Sequence, residues 1–231
     1  MNWLARLFGD QPELSPGQAA RLAAWRALPA PEPNTPIAAS RYVVVDVESS
    51  GLNIRKDRLI AIGAVAVEGG RIQLADSMEV VLRQQRVSTH DNILIHGIGG
   101  TAQSEGAPPV DALLDFLEYL GKAPLIAFHV AFDQTMIDRA LKTFLGLRFG
   151  HAWADLAYLA PALYPELARS HRTLDQWMAH FGLGNYARHS ALADALATAE
   201  LMLALRERMR ARRVDNLRDM RALEKAQRMN H

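Results

Sequence analysis

Cysteine is absent from the 231 residues, which excludes disulfides and thiolate metal sites and leaves oxygen or imidazole as the only ligands for a metal. A long apolar run is missing too. No stretch approaches the roughly 18 uninterrupted apolar residues of a transmembrane helix, and the N-terminus shows no sustained apolar segment ahead of a small-residue cleavage site. These absences predict a cytoplasmic chain without a membrane role, and Trp3, Leu4, Leu7 and Phe8 read as a docked helix turn in preference to an interfacial anchor. Charge of one sign is also lacking: 26 Lys and Arg against 25 Asp and Glu give a net charge of +1, so a polyanionic partner has to be argued from local sites. No internal repeat or low-complexity segment is visible. The hydrophobic fraction of 49% and charged fraction of 22% are those of a globular chain, long enough for one domain with a substantial core and extensions at its ends.

The pattern divides the chain into three. Residues 1–36 form an N-terminal extension: Leu22, Trp25 and Leu28 among alanines predict a helix over 15–28, and Pro29, Pro31, Pro33 and Pro36 an extended linker. Residues 37–210 form the main domain. Its β-branched run from Tyr42 predicts a strand, followed by strands at Leu59 to Val67 and Ile72 to Leu82 joined by a Gly69-Gly70 hairpin. Helices are predicted around Val110 to Leu120, Phe132 to Leu145, Leu174 to Phe181 and Ala191 to Arg210, with a short buried strand from Pro124 to Phe128. Antiparallel strands followed by alternating helices and strands imply an α/β domain, a mixed sheet flanked by helices. Residues 211–231 are a helical tail; from Leu205 onward nine Lys and Arg face four Asp and Glu, which reads first as a solvated face and second as a nucleic-acid or partner contact.

Several acids stand where apolar residues are the rule. Asp46 and Glu48 share one face of a strand whose Val43, Val45 and Val47 point to the other. A lone Asp-x-Glu commonly just keeps a sheet face wet. Asp133 opens a helix with the apolar stripe Phe132, Met136, Ile137, Ala140 and Leu141, where capping is an equally good explanation. Asp194 is the stronger clue: between His189 and Glu200 it is the single ionisable residue in a run of Ala and Leu. Such a helix is buried on most sides, and its carboxylate needs a cation or donors. His189, five positions earlier, would point about 140° away from Asp194 on a continuous helix, which places it in the preceding loop.

Four carboxylates on three elements, with no thiol, describe a hard-cation site suited to Mg²⁺ or Mn²⁺. Two such ions about 3.5–4 Å apart position a water, stabilise a leaving oxygen and neutralise the charge growing on a phosphodiester. A histidine, with an ordinary pKa near 6.5, suits proton removal from that water.

These residues resemble the DEDDh exonucleases, the family that includes the proofreading epsilon subunit of bacterial DNA polymerase III. Val43-Val44-Val45-Asp46-Val47-Glu48-Ser49-Ser50-Gly51-Leu52, with Asp57-Arg58 and the strand after it, is similar to the first motif; Leu125 to Asp133 to the second; His189-x4-Asp194 to the third. Three ordered motifs over about 150 residues are far more specific than any one of them. The resemblance implies an RNase H-like fold, two Mg²⁺ or Mn²⁺ ions on Asp46, Glu48, Asp133 and Asp194, His189 as general base, and release of 5′-mononucleotides from a nucleic acid with a free 3′ end. DNA is favoured over RNA as the leading reading, with RNA or short oligoribonucleotides as the alternative, since no residue decides the 2′-hydroxyl question. It further implies that Ser49, Ser50, Leu52 and His96, the last in a His-x-Ile feature, face the substrate. Ser49-Ser50 stands where many members carry Thr-Thr, and Phe128-His129 replaces a common His-Asn pair. Asp155 and Asp175 read as caps or helix-start charges. A DNA polymerase is a candidate partner, although a free-standing repair or turnover nuclease is the preferred reading, because the prolines precede the domain and no clamp-binding peptide is recognisable.

Overall fold

A computed structural model of the chain describes residues 12–184 and 190–229; the turn expected around Trp3 and Phe8 lies outside the described residues. The strands in chain order are β1 (Arg41–Ser49), β2 (Leu59–Glu68), β3 (Arg71–Val81), β4 (Leu125–Ala127) and β5 (Trp153–Asp155). The helices are α1 (Pro16–Ala27), α2 (His90–His96), α3 (Gly100–Glu105), α4 (Pro109–Leu120), α5 (Val130–Leu145), α6 (Leu156–Leu163), α7 (Leu174–His180), α8 (Ala191–Ala211) and α9 (Leu217–Met229). The sheet order is β3-β2-β1-β4-β5. β1, β2 and β3 are antiparallel neighbours, whereas β4 and β5 run parallel to β1, so the predicted mixed sheet is what forms.

β1 is central because it can be buried on both faces. Val43, Val45 and Val47 pack beneath α1, α4 and α5; Tyr42 and Val44 pack on the opposite face with α6, α7, α8 and α9. Asp46 and Glu48 continue the second series and therefore emerge on the α8 face. β2 and β3 turn at Gly69 and Gly70, whose φ values of 59° and 72° suit a tight hairpin that a side chain would strain.

The linker after α1 is not a free strap. Ile37 donates its amide to the Asp215 carbonyl at 2.8 Å, and Pro36 bridges Asn216, so it runs beside the chain entering α9. α1 docks on α4: the Trp25 indole donates to the Gly121 carbonyl at 2.6 Å, and Arg21 pairs with Asp115 and Glu118. α9 buries Leu217 and Met220 in the second core.

Four elements were not expected from the sequence. β5 has three residues, too few for a periodic signal. α6 is apolar on all sides and holds Pro161 inside it, which hides both its face and its helicity. α2 and α3, with seven and six residues, are also too short for a reliable stripe. α5 begins at Val130, two residues before the predicted start.

Candidate active site

The acids assemble at the C-terminal end of β1. Asp46 lies opposite Gly63 and Glu48 opposite Ala61, after which the register slips so that Ser49 pairs with Leu59 and Ile60 is the extra residue. A bulge here ends the regular ladder and re-aims the chain as it leaves the sheet. Asp46 and Glu48 are half-buried, Asp194 is buried, and one oxygen from each lies within 4.8 Å of the others. Two unit charges about 4 Å apart repel by roughly 4 kcal/mol at the effective dielectric of a protein surface, so the trio is suited to a cation. Glu48 registers the crowding. Burial first, then the charges of Asp194 and Glu79, push its carboxyl up to about 7.

Asp194 arrives in the first turn of α8, and two residues outside the predicted site put it there. Gly63, across the ladder from Asp46, has no Cβ; one built on it would stand 2.1 Å from the backbone of Ala191 and Leu192. The helix start therefore lies directly on the strand. Glu79, the β3 residue opposite Gly63, accepts a hydrogen bond from the Ser190 hydroxyl at 3.1 Å and one from the Leu192 amide at 3.3 Å. It caps α8 from a neighbouring strand, in place of a local side chain. An acid on a half-exposed strand carries no sequence mark of such a role.

Asp133 comes from the opposite layer, which explains why it stands beside the trio without being one of the three. Its side chain is buried. Burial raises its carboxyl, the amides of Asp133 itself and Val47 oppose the rise, and the charges of Asp155 and Glu48 add to it. The entry to α5 is a tight corner: His129 adopts a left-handed conformation with φ 67°, costly for a non-glycine residue. Asp155 holds that corner. Its carboxylate accepts from the amides of His129 at 3.0 Å and Val130 at 3.1 Å, caps α6 through Ala157 at 3.0 Å, and pairs with Arg228 of α9 at 2.9 Å. It was expected to be a cap; it also anchors the helix that carries Asp133. Asp175 stands in the first turn of α7.

The other expected site residues fall out as follows. His189 lies outside the described residues. Leu52 is 88% exposed in the turn after β1, free to meet a ligand. The Ser49 hydroxyl donates to the Gly51 carbonyl at 2.7 Å, and that of Ser50 donates to Asp57 at 3.0 Å while accepting from the Arg58 amide; both shape the turn. His96 is buried. Its Nδ1 accepts from the Ile98 amide at 3.0 Å, so its Nε2 carries the proton and faces the Ser88 hydroxyl at 3.1 Å. Both ring nitrogens are thus engaged within the protein.

A mixed sheet with helices on both faces and acids gathered at the end of its central strand defines a class: the nucleases of RNase H-like fold. Solved structures share the fold. Exonuclease X in complex with 5′ overhanging duplex DNA matches with a TM-score of 0.61 at 19% identity, over 79% of this chain and 99% of that one. E. coli Exonuclease I in complex with a dT13 oligonucleotide matches at 0.62 and 16%, over 74% of this chain and 42% of that one. The profile of the RNase T family, described as exonuclease, covers residues 43–202. The chain belongs to this exonuclease family. Among curated relatives, the PolC-type DNA polymerase III of Thermotoga maritima is 30% identical over 182 residues, 79% of this chain and 13% of that protein. The DNA polymerase III epsilon subunit of Aquifex aeolicus is 28% identical over 172 residues, 73% of this chain and 81% of that one. The chain thus spans only a small part of the PolC-type relatives.

Proposed function

We propose that this exonuclease hydrolyses single-stranded or frayed DNA from its 3′ end and releases 5′-mononucleotides, using two Mg²⁺ or Mn²⁺ ions on Asp46, Glu48, Asp133 and Asp194. The observation that carries this reading is the meeting of acids from β1, α8 and α5 at one strand end, three of them with oxygens within 4.8 Å of one another. The donor set fits a hard divalent cation: all carboxylate oxygen, crowded, and with the Glu48 carboxyl pushed up to about 7 by burial and its acidic neighbours. Bound there, the ions supply Lewis acidity and balance the charge on the phosphodiester.

The chain's own residues do the rest. The bulge after Glu48 and the cap on α8 hold the carboxylates before substrate arrives, so little reorganisation is needed on binding. His189 removes the proton from the attacking water as general base. Leu52 offers an exposed apolar surface to the terminal base. The relatives' names suggest a polymerase as partner, with α1 and α9 as the available surfaces, and co-purification from cells tests it.

The direct test is a 5′-labelled oligonucleotide incubated with protein and Mg²⁺ or Mn²⁺, with RNA of the same sequence beside it. A ladder shortening from the 3′ end, abolished by EDTA and by Asp194→Ala, is the expected result. Cleavage of RNA in preference to DNA would change the substrate; cleavage of neither would overturn the reading.

A further inference from the structure

A second feature lies beyond the acids. A cleft of about 750 Å³ opens between the turn after β1, the end of β3 and the C-terminal half of α5. Its floor is apolar, with Leu59, Leu82, Met136 and Phe144, and its charged lining is Arg58, Arg83, Arg86 and Arg139 against Asp57 alone. In a chain of net charge +1, four guanidinium groups in one cleft are a strong local bias.

How these arginines are held matters more than their number. Outside the cleft Arg21, Arg41, Arg208 and Arg228 pair with carboxylates, while Arg206 and Arg212 each donate to a single carbonyl. In the cleft the acceptors are neutral: Arg58 donates to the Gln84 side chain at 3.1 Å and the Arg86 carbonyl at 2.7 Å, Arg83 to the Gly106 carbonyl at 3.1 Å, and Arg139 to the carbonyls of Ile54 and Asp57. Asp57 is occupied by the Ser50 hydroxyl and the Asn53 amide. Among the described residues no ion pair neutralises any of the four. The charges of Arg58, Arg83 and Arg139, held by uncharged oxygens, are ordered in advance for an anion.

Both walls of the cleft lead back to the acids. Met136, Ala140 and Phe144 follow Asp133 at three, seven and eleven positions, on one side of α5, and ten residues of helix cover about 15 Å. Leu59 pairs with Ser49, the residue after Glu48.

We propose that this cleft carries the strand on the 5′ side of the scissile bond, with phosphates on the four arginines and bases over the apolar floor. The assignment rests on the exonuclease reading and deepens it: the enzyme grips a single strand several nucleotides from the end it cuts.

The test uses the full chain and the variant Arg83→Glu/Arg86→Glu, which leaves in place the Arg58 and Arg139 bonds that hold the turn. Binding of a labelled strand of about 20 nucleotides is followed in EDTA by fluorescence anisotropy, and kcat/KM with Mg²⁺ is measured on that strand and on a dinucleotide. Loss of two single-strand phosphate contacts should flatten the log-log salt dependence of binding by about 1.4 and weaken binding at least about tenfold, with kcat/KM falling far more on the strand than on the dinucleotide. Arg83→Gln/Arg86→Gln should give a smaller change in the same direction. Unchanged affinity and salt slope, or equal losses on both substrates, would overturn the cleft. Wild-type protein that binds the strand through these arginines but cleaves neither substrate would instead overturn the exonuclease reading.

Discussion

Glu48 and Asp133 are carboxylic acids that the fold prefers neutral, and the sign of that preference sets a pH dependence. Both have folded pKa values raised above the ordinary carboxylate range, Glu48 to about 7. Between the ordinary value and the raised one the native state binds more protons than the unfolded chain, so these groups make stability fall as pH rises through that window. The metal-free protein should therefore have a Tm that declines between about pH 5 and pH 8 from this source, each kcal/mol being worth about 2–4 °C. A divalent cation competes with those protons. Added Mg²⁺ should raise the Tm more at pH 8 than at pH 5, as read by calorimetry in EDTA and in Mg²⁺; equal shifts at both pH values would argue against these acids as the ligands.

At the scale of the element, the decisive contact is the start of α8 on β2. Gly63→Ala places a methyl group where Ala191 and Leu192 have their backbone, so the helix must move. Overpacking of this kind costs about 1–3 kcal/mol, while a displacement of about 1 Å at the chemistry costs on the order of 100-fold in rate. Activity should fall much further than stability, measured by kcat beside a denaturant titration. Glu79 offers a cleaner division. Glu79→Ala removes the cap, worth about 1 kcal/mol, and should slow turnover, whereas Glu79→Gln keeps an acceptor for Ser190 and Leu192 and should restore most of the rate. Both variants delete a negative charge near Glu48, so both should shift metal binding to lower pH.

The same elements separate what the sequence discloses from what it conceals. β1 and its acids are legible because alternation assigns Asp46 and Glu48 to one face, and Asp194 because a lone acid in an alanine-rich helix has no ordinary explanation. Glu79 and Gly63 are not, since their roles depend on which helix lies across them, a long-range fact with no local pattern. The partners of His96, an amide on one nitrogen and a hydroxyl facing the other, are equally illegible, since the His-x-Ile spacing says nothing of Ser88.

Across the whole molecule, the described residues before and after the matched family region, 12–42 and 203–229, contribute to the two cores. Trp25 of α1 is buried in the first core, donates to Gly121, and lies under the Lys122 ammonium at 3.2 Å. Trp25→Ala should cost about 3–5 kcal/mol and leave kcat near the wild-type value at a temperature where the variant stays folded; a lost rate in a folded variant would tie α1 to the chemistry. At the other end, Arg228 of α9 reaches Asp155 and through it the corner that starts α5.

The acids themselves are divided between the layers. Asp46, Glu48 and Asp194 meet on the α8 face, and Asp133 comes from the α5 side. A chain that has closed only one side of its sheet, newly made or refolding, brings together only part of this acidic cluster whatever its helix content. On the proposed metal assignment, cleavage of nucleic acid should therefore appear only once both layers have docked.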